Sequence, residues 1–251
     1  MDLGLTDRVA IVTGASRGIG HAIAMGLAEA GADLVVVGRV KETIEKAAKD
    51  AEAAGRKALA VVGDTAQEAD IRRAVDETMK TFGRVDILVN AAGITARAAA
   101  EDVPVADWDR IMGVNLRGVY LMGVAAGREM IKQQRGKIIN IASMGTYVGI
   151  PNASAYVASK GGVGQYTKNL AVEWAKFNIQ VNAIAPGYIE TDMTQGLKQN
   201  PDRMASIMMR TPAKRWGQPE ELAGAAVFLA SAASDFVTGH ILDVDGGFMA
   251  G

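Results

Sequence analysis

A tyrosine and a lysine stand four positions apart in "SAYVASKGG" (154–162), at Tyr156 and Lys160. On a helix, positions i and i+4 share a face, so both side chains can address one ligand. A free phenol titrates at about 10 and is a poor proton donor or acceptor at neutral pH. A neighbouring ammonium stabilises the phenolate and lowers that value. Such a pair is suited to exchange a proton with an alcohol or carbonyl oxygen. The same spacing also occurs on ordinary helix faces, so the pair needs company. Ser143 ends the apolar run "GKIINIAS" thirteen residues before Tyr156, and its hydroxyl could hold a substrate oxygen. Asn115, in "MGVNLRG", is a polar residue early in a long helical segment, 107–134.

A second cluster of chemistry-bearing residues lies near the start of the chain. "TGASRGIG" (13–20) places Gly14, Gly18 and Gly20 in a G-x-x-x-G-x-G spacing between an apolar run and a helical pattern. The loop can turn tightly, bring backbone close to a pyrophosphate and aim helix N-terminal N–H groups at it. An acid at the end of the second strand would favour NAD. That position instead reads Gly38–Arg39, and Arg17 stands inside the loop. Two guanidiniums near one ribose suit a 2′-phosphate. The expected cofactor is therefore NADP(H), with NAD(H) as the alternative.

Positioning these groups requires a particular scaffold. Short runs at 9–13, 33–38, 57–63, 85–90, 136–143, 179–186 and 240–246 are apolar on both sides and rich in β-branched residues. They read as strands covered on both faces. Helical patterns alternate with them, as in "GIGHAIAMGLAEAG" (18–31), where Gly31 makes a helix end. Alternation of this kind predicts one α/β domain over 1–251: a Rossmann-like, doubly wound, seven-stranded parallel sheet with helices on both faces. The segment 188–218 is irregular, with two prolines and four methionines, and reads as a partly helical, mobile flap after a strand end. "NAAG" (90–93) and "APGYIET" (185–191) also follow strand ends, so the polar groups should meet in one crevice beside the glycine loop.

Together these marks resemble the short-chain dehydrogenase/reductase family along essentially the whole chain. They are "TGASRGIG", "GD" at 63–64, "NAAG", "VN" at 114–115, Ser143, "YVASK", "VNAIAPG" at 181–187 and "DGG" at 245–247. The resemblance implies a catalytic tetrad of Asn115, Ser143, Tyr156 and Lys160. Tyr156 would be the acid/base and Ser143 would orient the substrate oxygen. Lys160 would lower the tyrosine pKa and bind the nicotinamide ribose, and Asn115 would hold a water in a relay to Lys160. The cofactor would be bound by Gly14, Ser16, Arg17, Gly18, Ile19 and Gly20, with Arg39, Asp64 and Thr65 on the adenosine side. Asn90, Ala91, Ala92 and Gly93 would line that side too, Pro186 and Gly187 would form a turn, and Ile189 and Thr191 would hold the carboxamide. The family usually has Asn where Ala91 stands, a mild departure.

The candidate substrate lining is mostly apolar: Thr95, Arg97, Met144, Gly145, Tyr147, Ile150 and Tyr188, with the Met-rich flap. "RTPAKRWGQPEELAGAAVFLAS" and "SDFVTGHILDVDGG" resemble the gluconate 5-dehydrogenase-like branch, which implies a sugar acid or polyol. A carboxylate substrate wants a basic partner, and Arg97 is the only obvious one. The rivals are a 3-oxoacyl-(acyl carrier protein) reductase, which needs a basic docking face such as Arg128, Lys132 and Arg135, and a non-catalytic dinucleotide sensor or scaffold.

Composition bounds the rest. The 251 residues are 49% hydrophobic and 22% charged, with a formal net charge of −1. That balance argues against nucleic acid or a membrane surface as a partner. The chain lacks cysteine and has two distant histidines, so thiolate catalysis is excluded and a metal site is not expected. The first apolar run is short and preceded by acids, unlike a signal peptide, so a cytoplasmic protein is expected. The family resemblance implies a homotetramer.

Overall fold

The computed structural model describes residues 3–198 and 200–251. Seven strands form one parallel sheet: β1 (Val9–Thr13), β2 (Asp33–Gly38), β3 (Ala58–Val62), β4 (Ile87–Asn90), β5 (Gly136–Ile141), β6 (Ile179–Pro186) and β7 (Ile241–Val244). Their order is β3-β2-β1-β4-β5-β6-β7. The order reverses direction between β1 and β4, where Thr13 lies opposite Asn90. In doubly wound sheets that reversal opens the ligand crevice at the carboxyl ends of the strands.

Nine α-helices are described: α1 (Gly18–Glu29), α2 (Lys41–Ala53), α3 (Glu68–Phe82), α4 (Val105–Met112), α5 (Gly118–Gln133), α6 (Ser154–Trp174), α7 (Asp192–Lys198), α8 (Pro201–Arg210) and α9 (Ala223–Ala230). Strand side chains alternate between two cores, as period-two geometry requires. Ala10, Val12, Leu34 and Val36 pack with Ile23 and Leu27 of α1, Ile44 of α2 and Leu229 of α9. Val9, Ile11, Val35 and Val37 pack with Ile71 of α3 and Met122, Ala126 and Met130 of α5. Each fully buried Leu or Ile contributes about 1.5–3 kcal/mol, so continuous apolar runs are what this double-sided sheet needs. Among the described residues, no helix is long and apolar enough to cross a membrane.

One expectation changes and another gains detail. The helical pattern at 107–134 is not one helix. A π-turn over Gly113–Arg117 separates α4 from α5, with Asn115 inside it. Such single-turn insertions occur most often at functional sites. The segment 188–218 holds α7 and α8 around a small apolar centre of Leu197, Ile207 and Trp216. Its two ends are joined where Glu190 N–H donates to Gly217 O (2.9 Å) and Gly217 N–H to Tyr188 O (3.0 Å), and it is tied to the turn after β7 where Ala213 N–H donates to Gly246 O (3.0 Å).

Candidate active site

The glycine loop leaves β1 and turns into α1 against the end of β4. Gly14 has φ +67°, and a Cβ there would lie 2.8 Å from the backbone N and Cα of Ala92. Only glycine suits both the dihedral and the approach. Arg17 is the N-cap of α1, no side chain caps the helix, and its first turn holds no acid. These free N–H groups suit a bound phosphate. On the other side of the crevice, Thr13 Oγ1 accepts from Ala91 N–H (3.1 Å) and Ala92 N–H (3.2 Å), pinning "NAAG" to β1. Thr13 was not singled out in the sequence, where it is just the last residue of an apolar run.

Several expected cofactor residues fall into place around this turn, in different ways. Gly18 lies against Thr191, whose methyl carbon would be 3.4 Å from a Cβ on it. Ser16 in the loop and Ile19 in the first turn of α1 are partly exposed. Asp64 Oδ1 accepts from Ala66 N–H (2.9 Å), and Asp70 caps Asp64 N–H (2.9 Å), which fixes the Asp64–Thr65 turn beyond β3. Pro186 ends β6, and Gly187 N–H donates to Val244 O (3.1 Å). The Ile189 side chain is buried in the core, so only its backbone is available to a ligand. Asn90 differs from the expectation. It is 3% exposed, and its amide donates to Asn140 Oδ1 (2.9 Å), while Asn140 Nδ2 donates to Thr167 Oγ1 (2.9 Å). That buried chain joins β4, β5 and α6, so the Asn90 side chain braces the sheet rather than lining the adenosine side. Buried amides must be paired in this manner or cost stability.

The four polar residues expected to act together do converge. Ser143 follows β5, and its Oγ accepts from Gly145 N–H (3.0 Å) while hydrogen-bonding the Tyr156 phenol. Lys160, 4% exposed, donates from Nζ to Ile141 O (2.6 Å). Its Nζ stands 5.8 Å from the centre of the Tyr156 ring. Asn115 is fully buried. Its amide clamps the Ile94 backbone, accepting from N–H (2.8 Å) and donating to O (2.9 Å), and also donates to Ser159 Oγ (3.1 Å). Ser159 donates onward to Tyr156 O (2.7 Å). Asn115 Oδ1 and Lys160 Nζ meet at Gly93: each would be 3.7 Å from a Cβ placed there. The π-turn thus brings a helix amide to the strand end that carries the glycine turn.

The electrostatics qualify one expectation. Burial pushes the Tyr156 phenol above its ordinary value, opposed by the Ser143 hydrogen bond and then by the charge of Arg97. Arg97 is thus a cation acting on the phenol that the Tyr156–Lys160 spacing did not indicate. Burial lowers the Lys160 ammonium from 10.5 to about 8. A buried ammonium with one carbonyl acceptor is poorly compensated, which is the physical cause of that fall.

On the substrate side, Arg97 lies in the extended stretch after β4 and is exposed. Burial of its stem lowers its pKa, followed by repulsion from Arg203. Tyr188 stacks at an angle on Trp216 (5.5 Å between centres) and edge-on to Phe248 (5.7 Å). Burial raises its phenol, opposed by Arg203, Arg97 and Arg210 in that order. Arg203 was missed in the sequence because α8 could not be oriented from it. Met144 and Gly145 are buried beside Ser143, and Ile150 packs over Gly145. Thr95 makes only a local bond to Ala96 O (3.5 Å). Tyr147 departs from the group: its hydroxyl donates to Ile241 O (3.3 Å) on the edge strand.

Comparison with known proteins agrees with this geometry. The family model described as "Enoyl-(Acyl carrier protein) reductase" matches residues 14–249. A 2-dehydro-3-deoxy-D-gluconate 5-dehydrogenase from Dickeya dadantii is 47% identical over 249 residues, covering 98% of this chain and 97% of that protein. A 5-keto-D-gluconate 5-reductase from Escherichia coli K12 is 41% identical over 245 residues, covering 98% and 96%. The crystal structure of a gluconate 5-dehydrogenase from Burkholderia cenocepacia, in complex with NADP and tartrate, superposes with a TM-score of 0.96. It is 44% identical, with 100% of this chain and 98% of that one covered.

Proposed function

The chain belongs to the short-chain dehydrogenase/reductase family, and from that premise we propose that it interconverts a ketone and a secondary alcohol at carbon 5 of a sugar acid, using NADP(H). The observation that carries the substrate class is Arg97, an exposed guanidinium acting on the Tyr156 phenol with no ion-pair partner among the described residues. The relatives are named for 5-position chemistry on gluconate-type acids, and the Burkholderia protein holds tartrate, a hydroxy acid.

NADP(H) fits the crevice: Gly14 opens the backbone approach, the first turn of α1 is uncapped, and Gly93 leaves room beside Lys160. When bound, it supplies or accepts the hydride, and the protein supplies orientation and the proton. Ser143 holds the substrate oxygen. Tyr156 gives its phenolic proton to that oxygen during reduction and takes one back during oxidation. Burial keeps the phenol protonated at neutral pH, so it begins as the acid of the reductive direction. Lys160 would hold the ribose hydroxyls through its ammonium. Asn115 fixes the Ile94 turn and offers its oxygen beside Lys160, where a water can complete a relay. Arg97 engages the carboxylate.

Arg17 is already paired with Asp192 (3.0 Å), with both side chains largely exposed, and such pairs are weak. Arg39 follows Gly38, is exposed and has no ion-pair partner among the described residues. Arg39 is thus the residue for the 2′-phosphate, with Arg17 recruited from its weak pair. Wild type is expected to prefer NADPH over NADH in kcat/KM. Replacing Arg39 by Glu should lower that ratio about 10- to 100-fold, the worth of a charge-assisted contact. A wild-type preference for NADH would overturn the assignment.

The substrate class is tested by a panel of 5-keto sugar acids, acyl thioesters and simple ketones with both cofactors. The keto sugar acid should lead in kcat/KM by at least about tenfold, and a leading thioester would favour acyl carrier protein chemistry instead. That second reading is not favoured by the surface it requires, since Lys132 is paired with Glu129 (2.7 Å). A homotetramer in the cytoplasm fits the same reading. It is supported by exposed apolar residues on α5, α6 and the turn before β7: Tyr120, Val172 and Phe236.

A further inference from the structure

We propose that Arg203, on α8, is a second cationic contact for the substrate carboxylate. It would share that anion with Arg97, so that the seating of the α7–α8 segment depends on an acidic substrate. The inference rests on the sugar-acid reading above and assigns to it a specificity-determining residue from a different part of the chain.

The geometry brings both arginines to one loop. Arg203 Nη2 donates to Pro151 O (3.3 Å), and Ala98 N–H, adjacent to Arg97, donates to Asn152 O (3.3 Å). Residues 151–152 lead directly into α6, which carries Tyr156. Arg203 and Arg97 therefore come to one loop from two segments, one from 188–218 and one from the stretch after β4. Tyr188 feels both charges.

The arrangement is electrostatically incomplete. Several arginines of the chain are matched with carboxylates, such as Arg84 with Asp86 (2.6 Å), Arg215 with Glu221 (2.6 Å) and Arg73 with Asp70 (2.9 Å), while others, Arg39 among them, are not. Among the described residues Arg97 and Arg203 have no such partner either, and what sets them apart from the other unmatched arginines on this side of the site is that they repel one another. Arg203 also sits in the first turn of α8, where Asn200 Oδ1 accepts its N–H (3.0 Å). A cation there opposes the helix dipole, and Asp202 offsets it only from an exposed position. A carboxylate shared by the two guanidiniums would relieve the repulsion and the dipole conflict together. Each fork can grip one carboxylate in a bidentate way.

A neutral ketone offers no anion to share, so it should be indifferent to Arg203. The test is steady-state kinetics of wild type, Arg203→Gln and Arg203→Lys with NADPH, on 5-keto-D-gluconate and on a neutral keto sugar. For the acid, Arg203→Gln should raise KM about 10- to 100-fold with kcat within about twofold, and Arg203→Lys should recover part of that loss. For the neutral sugar, kcat/KM should stay within about twofold in both variants. An unchanged KM for the acid, or an equal loss on both substrates, would overturn the contact. Wild type failing on the acid while reducing the neutral sugar would instead overturn the sugar-acid reading and remove the contact with it.

Discussion

Tyr156→Phe is expected to lower turnover about 10³-fold and to leave NADP(H) affinity within about twofold. The substitution removes one oxygen and keeps the ring. That oxygen bonds the Ser143 hydroxyl, while the backbone carbonyl of Tyr156 keeps its bond from Ser159 (2.7 Å). The fold of α6 therefore does not depend on the phenol, and thermal stability should change little. Without the phenol, Ser143 can still hold a carbonyl oxygen, but the acid positioned beside that oxygen is gone. Stopped-flow or steady-state rates beside calorimetric cofactor binding separate the two effects. Near-normal turnover would contradict the role given to Tyr156. Equal losses in rate and cofactor binding would show that the change acts on the fold instead.

Lys160→Met should cost activity and raise stability, a combination that a purely structural lysine would not produce. Turnover is expected to fall on the order of 10²-fold, with weaker cofactor binding, because the ammonium and its reach to the ribose are lost. The stability argument follows from the ammonium's burial. Its pKa falls from 10.5 to about 8, so folding penalises the charged form by roughly 3 kcal/mol. Below pH 8 both folded and unfolded chains carry the proton, and the penalty is present in full. Between about 8 and 10.5 the unfolded chain holds more proton than the folded one, so wild-type stability from this group rises with pH. Methionine fills similar space without a charge but abandons the bond to Ile141 O. The net gain should be about 1–2 kcal/mol at pH 7, since losing that partner returns part of it. The Tm advantage should shrink as pH rises from 8 towards 10.5. A variant less stable than wild type at pH 7 would contradict the account.

Much of this molecule was legible because its strands are apolar on both faces. The runs at 9–13, 33–38 and 179–186 coincide with β1, β2 and β6, since β-branched residues buried on both sides leave little choice of period. The meeting of Ser143, Tyr156, Lys160 and Asn115 was also foreseeable, because strand ends in such sheets point into one crevice. What escaped depends on contacts distant in sequence. The π-turn at Gly113–Arg117 adds to a helix without disturbing its apolar pattern. The Asn90 amide is claimed by Asn140, fifty positions away. Arg203 stands on a helix whose orientation is set by the packing of Ile207 and Trp216. The charge of Arg97 on Tyr156 and the lowered Lys160 ammonium follow from burial and from where each charge ends up, and spacing along the chain carries no information about either.

The central claim is hydride transfer to carbon 5 of a sugar acid with Tyr156 supplying the proton. It is tested most directly by incubating the protein with 5-keto-D-gluconate and NADPH deuterated at the transferable C4 position, then locating the label by NMR. The account predicts a 5-hydroxy acid bearing deuterium on carbon 5, formed by wild type and about 10³-fold more slowly by Tyr156→Phe. An unlabelled product, a label at another carbon, or equal rates in the two proteins would contradict it.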